Sequence, residues 1–235
     1  MKNKILYLES LRGLAAILVA LFHFRDSSKS LIIDNQFIQN GWVMVDFFFV
    51  LSGFVIAYTY SEKILSFRNL INFQIRRFLR LYPLHLFTLF LMLGLEFLQL
   101  IKEFITKQTG EGAAFSYNDP ISFFHNIFLT QAIFNNKLTF NNPSWSISTE
   151  FITYFIYAII ILFIKNTKYI LIISLMIILF SGYFIFNELN VINEFAILRC
   201  IHSFFLGTIA SYIFKNTNIK INNIISYGFF LLTII

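Results

Sequence analysis

Charge is scarce in this sequence and cysteine nearly absent. Only 13% of the 235 residues are charged, where a soluble domain carries about a quarter. Hydrophobic residues make up 57% of the chain, with phenylalanine alone contributing 32 residues, and the mean hydropathy is +0.72. The apolar runs are too long for a soluble core. The alternating ten-residue segments of a transmembrane β-barrel are missing as well. What remains is an all-α fold, a polytopic transmembrane helix bundle. The lone Cys200 excludes an intramolecular disulfide framework. It lies two residues from His202, and such positions on a helix do not face each other, so a packed cysteine is expected rather than a Cys–His nucleophile pair. A cleavable signal is also lacking. Lys2 and Lys4 precede an apolar stretch, but Glu9 and Arg12 interrupt it and no small-residue cleavage site follows before Arg25. No internal repeat, low-complexity tract or soluble domain is visible.

What is present is a series of apolar runs, near 5–24, 42–60, 81–101, 120–134, 145–164, 169–186, 197–214 and 221–235. Basic residues fall in the short connections between them, which positive-inside topology explains better than nucleic-acid binding despite the net charge of +6. The stretch 61–80 holds Lys63, Arg68, Arg76, Arg77 and Arg80 against Glu62 alone, and is read as a cytoplasmic loop. The N-terminus, with Lys2 and Lys4, is then cytoplasmic too. Lys165 with Lys168, and Lys215 with Lys220, mark further basic connections, separated by an acidic one with Glu188 and Glu194. This alternation holds only if runs 81–101 and 145–164 are adjacent spans. Run 120–134 is short and contains His125, Asn126 and Gln131, so it is expected to be a re-entrant or interfacial segment on the outer side. Polar, irregular backbone at membrane depth is tolerated where it lines a protein cavity. The last run is still apolar at Ile235, so residues 1–235 are read as one membrane domain that is incomplete at its C-terminal end.

Ionisable residues inside apolar runs are costly and by default point to function. The first run carries Arg12 and His23. Eleven residues return a helix to within about 20° of the same face, roughly 16 Å along its axis. A histidine there could be a buried side chain bonded to a neighbouring helix, or a general base on a hydroxyl, since imidazole exchanges protons near working pH. Asp46 lies four residues into the second run. It could pair with an arginine, orient an imidazole, or sit solvated at the outer interface. Gly53 in the same run permits close helix packing. Arg76, Arg77 and Arg80 form either a topogenic cluster or a phosphate site, because guanidinium forks match phosphate oxygens. In the stretch NPSWSISTE, Trp145 is an interface anchor. Glu150 is either an interfacial charge favoured by the helix dipole or a pocket residue.

Four stretches, LESLRGLAAILVALFH, GWVMVDFFFVLSGFVI, RRFLRLYP and PSWSISTEF, together resemble the acyltransferase 3 family of integral membrane acyltransferases, which includes O-antigen and peptidoglycan O-acetyltransferases. They follow the family's order across residues 8–155. The resemblance implies that His23 is catalytic, with Arg12 completing the family's arginine–ten residues–histidine pattern. It implies that Arg77 and Arg80, preceded by Arg76, contact an acyl-coenzyme A donor from the cytoplasm, and that Asp46 and Glu150 are the family's acidic positions. It also implies a re-entrant outer segment. Family members have about ten spans, more than this chain offers.

The function expected on this basis is transfer of an acyl group, acetyl by expectation, from acyl-coenzyme A to a hydroxyl of a cell-envelope carbohydrate or lipid-linked glycan. The setting would be a bacterial inner membrane, with the lipid bilayer as the other partner and with neither metal nor nucleic acid. Arg12, with the cluster, would hold the donor. The alternative is a transporter or exporter using Arg12, His23 and Glu150 as a proton or substrate path; inverted repeats would favour it, and none is found. A non-catalytic assembly subunit would need none of these charges. The topology has a direct check: a cysteine introduced at Asn135 should react with a membrane-impermeant thiol reagent only from outside the cell.

Overall fold

The computed structural model describes residues 2–24, 35–107, 112–135, 137–187 and 196–216. The expected acidic connection at Glu188 and Glu194 lies outside the described residues, as do Arg25, Lys220 and the run 221–235. Among the described residues every regular element is helical. In chain order these are α1 (Lys2–Phe24), α2 (Gln36–Gln39), α3 (Val43–Tyr60), α4 (Phe67–Thr106), α5 (Pro120–Ile127), α6 (Gln131–Phe134), a 3-10 turn (Asn142–Ser144), α7 (Trp145–Phe163), α8 (Thr167–Asn187) and α9 (Ala196–Asn216). Five stretches, on α3, α4, α7, α8 and α9, are long and apolar enough to cross a membrane, and Ser10–Phe24 is a shorter apolar helix. The all-α polytopic expectation holds.

The chain divides into two compact units, Met1–Tyr60 with Ser203–Ile235, and Ser61–His202. In the first, two glycines let backbones touch. A Cβ built on Gly53 of α3 would collide with the Phe204 carbonyl oxygen of α9, and one built on Gly207 would collide with the Val50 carbonyl oxygen. Each glycine thus faces the other helix's main chain. Lipid offers no hydrophobic drive between helices, so small residues that allow such approach supply the packing. Gly41 does the same between α2 and α1. A Cβ there would lie 2.9 Å from the Phe22 Cβ and 3.0 Å from the Leu18 carbonyl oxygen.

The second unit is built on an antiparallel α4–α7 pair. Phe73 meets Tyr154 with ring centroids 6.1 Å apart. Phe78 meets Phe151 at 5.9 Å, and the Gln74 amide donates to the Phe151 carbonyl at 3.0 Å. Further along, Asn141 just before α7 donates to Thr88 of α4 at 3.2 Å. The residue numbers rise on one helix as they fall on the other, so the two run antiparallel, with most of these contacts on the part of α4 before Leu81. The basic ends also coincide: the Lys165 ammonium donates to the Ile64 carbonyl at 2.8 Å and to Ile161 at 2.9 Å. Run 120–134 does not cross as one helix. It breaks between α5 and α6, where Leu129 takes a φ of 56°.

One expectation changes. Residues 67–80 are not a loop: after Ser66, whose hydroxyl caps the Asn69 amide, they form the first turns of α4. Pro83 sits inside this helix. Its missing N–H leaves the carbonyl four residues earlier without that bond, and neighbouring helices and side chains absorb such defects in membrane proteins.

The glycine crossing is testable by thermal unfolding of the detergent-solubilised chain. Gly53→Val and Gly207→Val should each lower stability by about 1–3 kcal/mol or more through overpacking. Gly13→Ala should not, because the space around Gly13 is open.

Candidate functional site

In the first unit α1 carries two of the predicted residues. His23 is exposed, and its Nδ1 lies 2.8 Å from the Val19 carbonyl oxygen one turn back. A carbonyl can only accept, so Nδ1 donates in this contact and Nε2 is the ring nitrogen not engaged by it. The Phe22 ring stands edge-on to the imidazole, centroids 5.3 Å apart. Arg12 is half-buried, and its Nε has no hydrogen-bond partner among the described residues. Asp46, in the first turn of α3, is half-buried and accepts from the Ser203 hydroxyl of α9 at 3.4 Å. The glycine crossing sets this contact. Asp46 lies two turns before Gly53, and Ser203 one turn before Gly207.

In the second unit the four remaining predicted residues lie on α4 and α7, with Arg77 and Glu150 on the seam between them and Arg76 and Arg80 outside it. Arg77 is half-buried, with its guanidinium 5.7 Å from the Phe73 ring centroid. Arg76 and Arg80 are exposed one turn apart, and the Arg76 Nε bonds back to the Asn72 carbonyl at 3.3 Å. The sequence spacing pairs Arg77 with Arg80; burial instead leaves Arg76 and Arg80 as the outward pair. Glu150 is half-buried and accepts from the Tyr154 hydroxyl one turn later on α7. Phe151, next to Glu150, is held by Gln74 and packs on Phe78. Arg77 and Glu150 therefore stand at the same level of the seam.

Several buried polar residues escaped the sequence reading. His85 in α4 is only 1% exposed. Its Nε2 donates to the Asn126 carbonyl at 2.8 Å, while Nδ1 is buried without a partner among the described residues. Asn126 is fully buried and donates to the Ser122 carbonyl and the Thr139 hydroxyl. Gln131 donates to the Ser144 carbonyl at 3.1 Å, and its own side-chain oxygen is buried and unpaired among the described residues. It borders a polar niche with Asn135, Thr139, Asn142 and Trp145. Arg199 is also buried, with its guanidinium 5.7 Å from the Trp145 ring. The rule that singled out Arg12 and His23, an ionisable side chain inside an apolar run, applies equally to His85 and Arg199 and would have found both. Asn126 and Gln131 carry no charge to draw attention. Cys200 is buried and receives a hydrogen bond from Thr153 at 3.4 Å, while His202 is within hydrogen-bonding distance of Ser181 and the Ile178 carbonyl. The two point to different partners, as a packed cysteine requires.

Outside the spans, Asp119 caps α5 by accepting from the Ser122 amide at 2.7 Å, and Lys137 approaches it at 3.6 Å. The amide bond, more than the lysine, holds this carboxyl below its ordinary range. Among the described residues no cluster of three or more histidine, cysteine or acidic side chains is arranged to hold a metal.

The fold is thus an all-α helical membrane bundle whose α1 carries Arg12 and His23, whose α4 opens on a basic stretch and whose α7 carries the single carboxylate Glu150. Consistently, the chain belongs to the acyltransferase 3 family, whose model, described as an acyltransferase domain, matches residues 5–235. Among curated proteins it is 33% identical over 117 residues to "Acyltransferase MdmB" of Streptomyces mycarofaciens, covering 48% of this chain and 27% of that protein. It is 33% identical over 96 residues to "Protein 2 in picA locus" of Rhizobium radiobacter, covering 38% of this chain and 44% of that protein. The matched stretches thus span less than half the length of either relative. No solved structure matches.

The Asp119 cap gives a pH prediction. A carboxyl whose folded-state pKa is lowered contributes stability above its unfolded pKa and loses it as pH falls through the folded value. Hydrogen exchange at the Ser122 amide should therefore stay slow at neutral pH and speed up relative to neighbouring amides below the ordinary carboxylate range. In Asp119→Asn that pH dependence should vanish.

Proposed function

We propose that this chain is the acyl-transferring part of a membrane O-acyltransferase, moving an acetyl group from acetyl-coenzyme A to a hydroxyl of a cell-envelope carbohydrate. The observation that carries the reading is His23. With Nδ1 donating to Val19, the basic Nε2 is the nitrogen left to take a proton from an acceptor hydroxyl. A general base of this kind contributes typically 10²–10⁴-fold. The deprotonating hydroxyl attacks the thioester carbonyl, the tetrahedral oxyanion collapses, and the coenzyme A thiolate leaves and takes up a proton. Arg76 and Arg80, exposed and one turn apart, suit the donor's phosphates. Arg77, held against Phe73, fixes the register of that cluster on α4. Arg12, with an unpaired buried Nε, is a further cation for the donor. Asp46 and Glu150 act as positioning carboxylates through their hydroxyl contacts with Ser203 and Tyr154.

Family membership supports acyl chemistry over transport, and the exposure of His23, with its Nδ1 engaged by Val19, supports a base. The test is radiolabelled acetyl transfer to isolated cell-envelope glycan by the whole protein in lipid. His23→Ala should lower the rate by at least about a hundredfold with donor binding retained. Arg80→Ala should raise the donor KM more than it lowers kcat. Full activity of His23→Ala would remove the base from the mechanism. Donor binding that ignores both Arg76→Ala and Arg80→Ala would return the cluster to topology alone.

A further inference from the structure

The polar niche beside α7 has no part in the chemistry assigned to His23 and the arginines. It lies within the second unit, where α6, the stretch 137–139, the start of α7 and the start of α9 converge. Its inner space of about 20 Å³ admits one hydroxyl or water, and its rim carries the exposed Asn142 and Lys137. Three carboxamides border it, those of Gln131, Asn135 and Asn142, together with the Thr139 hydroxyl and the Trp145 ring. Hydrogen bonds hold its walls in place. Gln131 donates to the Ser144 carbonyl at 3.1 Å, and the Asn135 Nδ2 donates to the Thr139 hydroxyl at 3.1 Å. The buried Arg199 guanidinium, 5.7 Å from the Trp145 ring, steadies the indole. Hydrogen-bonding capacity is left over. Among the described residues the Gln131 Oε1 is buried and unpaired, and the Asn142 side chain makes no hydrogen bond.

The lining selects a ligand partly by what it disfavours. Among the described residues no carboxylate lines the niche to attract a cation. Lys137 at the rim is already 3.6 Å from Asp119, so an anion gains little there. Carboxamides and a hydroxyl both donate and accept, a capacity wasted on an apolar molecule and matched by a neutral polyol. The indole adds a flat ring whose negative face attracts the polarised C–H bonds of a pyranose. We infer that the niche is a sugar subsite, taking one hydroxyl of a neutral pyranose into its inner space with the ring against Trp145, and that this sugar is the acceptor. The entering hydroxyl supplies the donor that the Gln131 Oε1 lacks, and Asn142 bonds a second hydroxyl at the rim. Glu150, the proposed positioning carboxylate, follows Trp145 by five residues, about 7.5 Å along α7. The acceptor role rests on the acyl-transfer reading; sugar binding does not.

The test reads Trp145 fluorescence in the full chain reconstituted in phosphatidylcholine vesicles. Trp42→Phe leaves Trp145 as the sole tryptophan of the 235 residues. The titrants are the methyl glycosides of glucose, galactose and N-acetylglucosamine, and isolated cell-envelope glycan. Emission should change saturably with the glycan and with at least one glycoside, and not with glycerol at equal concentration. Asn142→Ala should weaken that binding about two- to tenfold, the effect of one lost hydrogen bond. In the acetyl-transfer assay the same variant should raise the glycan KM by a similar factor with the donor KM unchanged. Emission unmoved by every glycoside and by the glycan would overturn the subsite, whether or not acetyl is transferred. So would an equal response to glycerol, which would mean a hydrated niche only, or a response to coenzyme A in place of sugar. Sugar binding without transfer to any glycan would keep the subsite and remove its acceptor role.

Discussion

The second unit depends on one constraint: backbone polar groups that leave helical bonding among apolar residues must find a side chain. Between the end of α5 and the start of α7 the chain makes no long helix, so its carbonyls and amides have no regular ladder. Side chains supply it. His85 donates to the Asn126 carbonyl, Ser148 to Leu129, and Gln131 to Ser144. Asn126 reaches Ser122 and Thr139. An unmade bond of this kind costs several kcal/mol in lipid-like surroundings. Glu96 and Glu103 play the same part at the end of α4, accepting the Phe115 and Ala114 amides at 2.6 Å and 2.9 Å. What looks from composition like a set of costly polar residues is largely the scaffold for a short, irregular segment between α4 and α7.

The first unit meets the apolar environment differently. Its packing comes from absence of side chain, at Gly53 and Gly207 between α3 and α9 and at Gly41 against α1. Where main chains touch, neighbouring polar groups are fixed with little freedom. Asp46 and Ser203 lie within two turns of that crossing, so their contact follows from it. Serine and threonine hydroxyls along the helices bond back to carbonyls three or four residues earlier, as at Ser174 and Thr208. This makes them compatible with lipid without assigning them a role.

The difference between cost and function is sharpest on α4. Arg77 and Arg80 share a helix face by spacing, yet packing against Phe73 turns Arg77 inward and leaves Arg76 with Arg80 outside. Charge clustering alone does not make that distinction. His23 shows the converse. The Val19 carbonyl one turn back accepts a hydrogen bond from its Nδ1, so a contact wholly within one helix distinguishes the two ring nitrogens.

The sequence by itself determined the helical membrane class and that run 120–134 is not one long helix. These follow from hydropathy and run length, local quantities that the thickness of a bilayer converts directly into helix class. It also isolated Arg12, His23, Asp46 and Glu150, because a charge in an apolar run is visible without coordinates. Only the tertiary structure decided that 67–80 is helix rather than loop, since Leu70 is buried and Phe73 packs on Tyr154 of α7, which overrides the suggestion of its arginines. It alone revealed that Asn126 and Gln131 are structural keystones and that Gly53 and Gly207 are paired. Which neutral amide is buried, and which glycine meets which carbonyl, depends on residues far apart in the chain, and no local pattern encodes that.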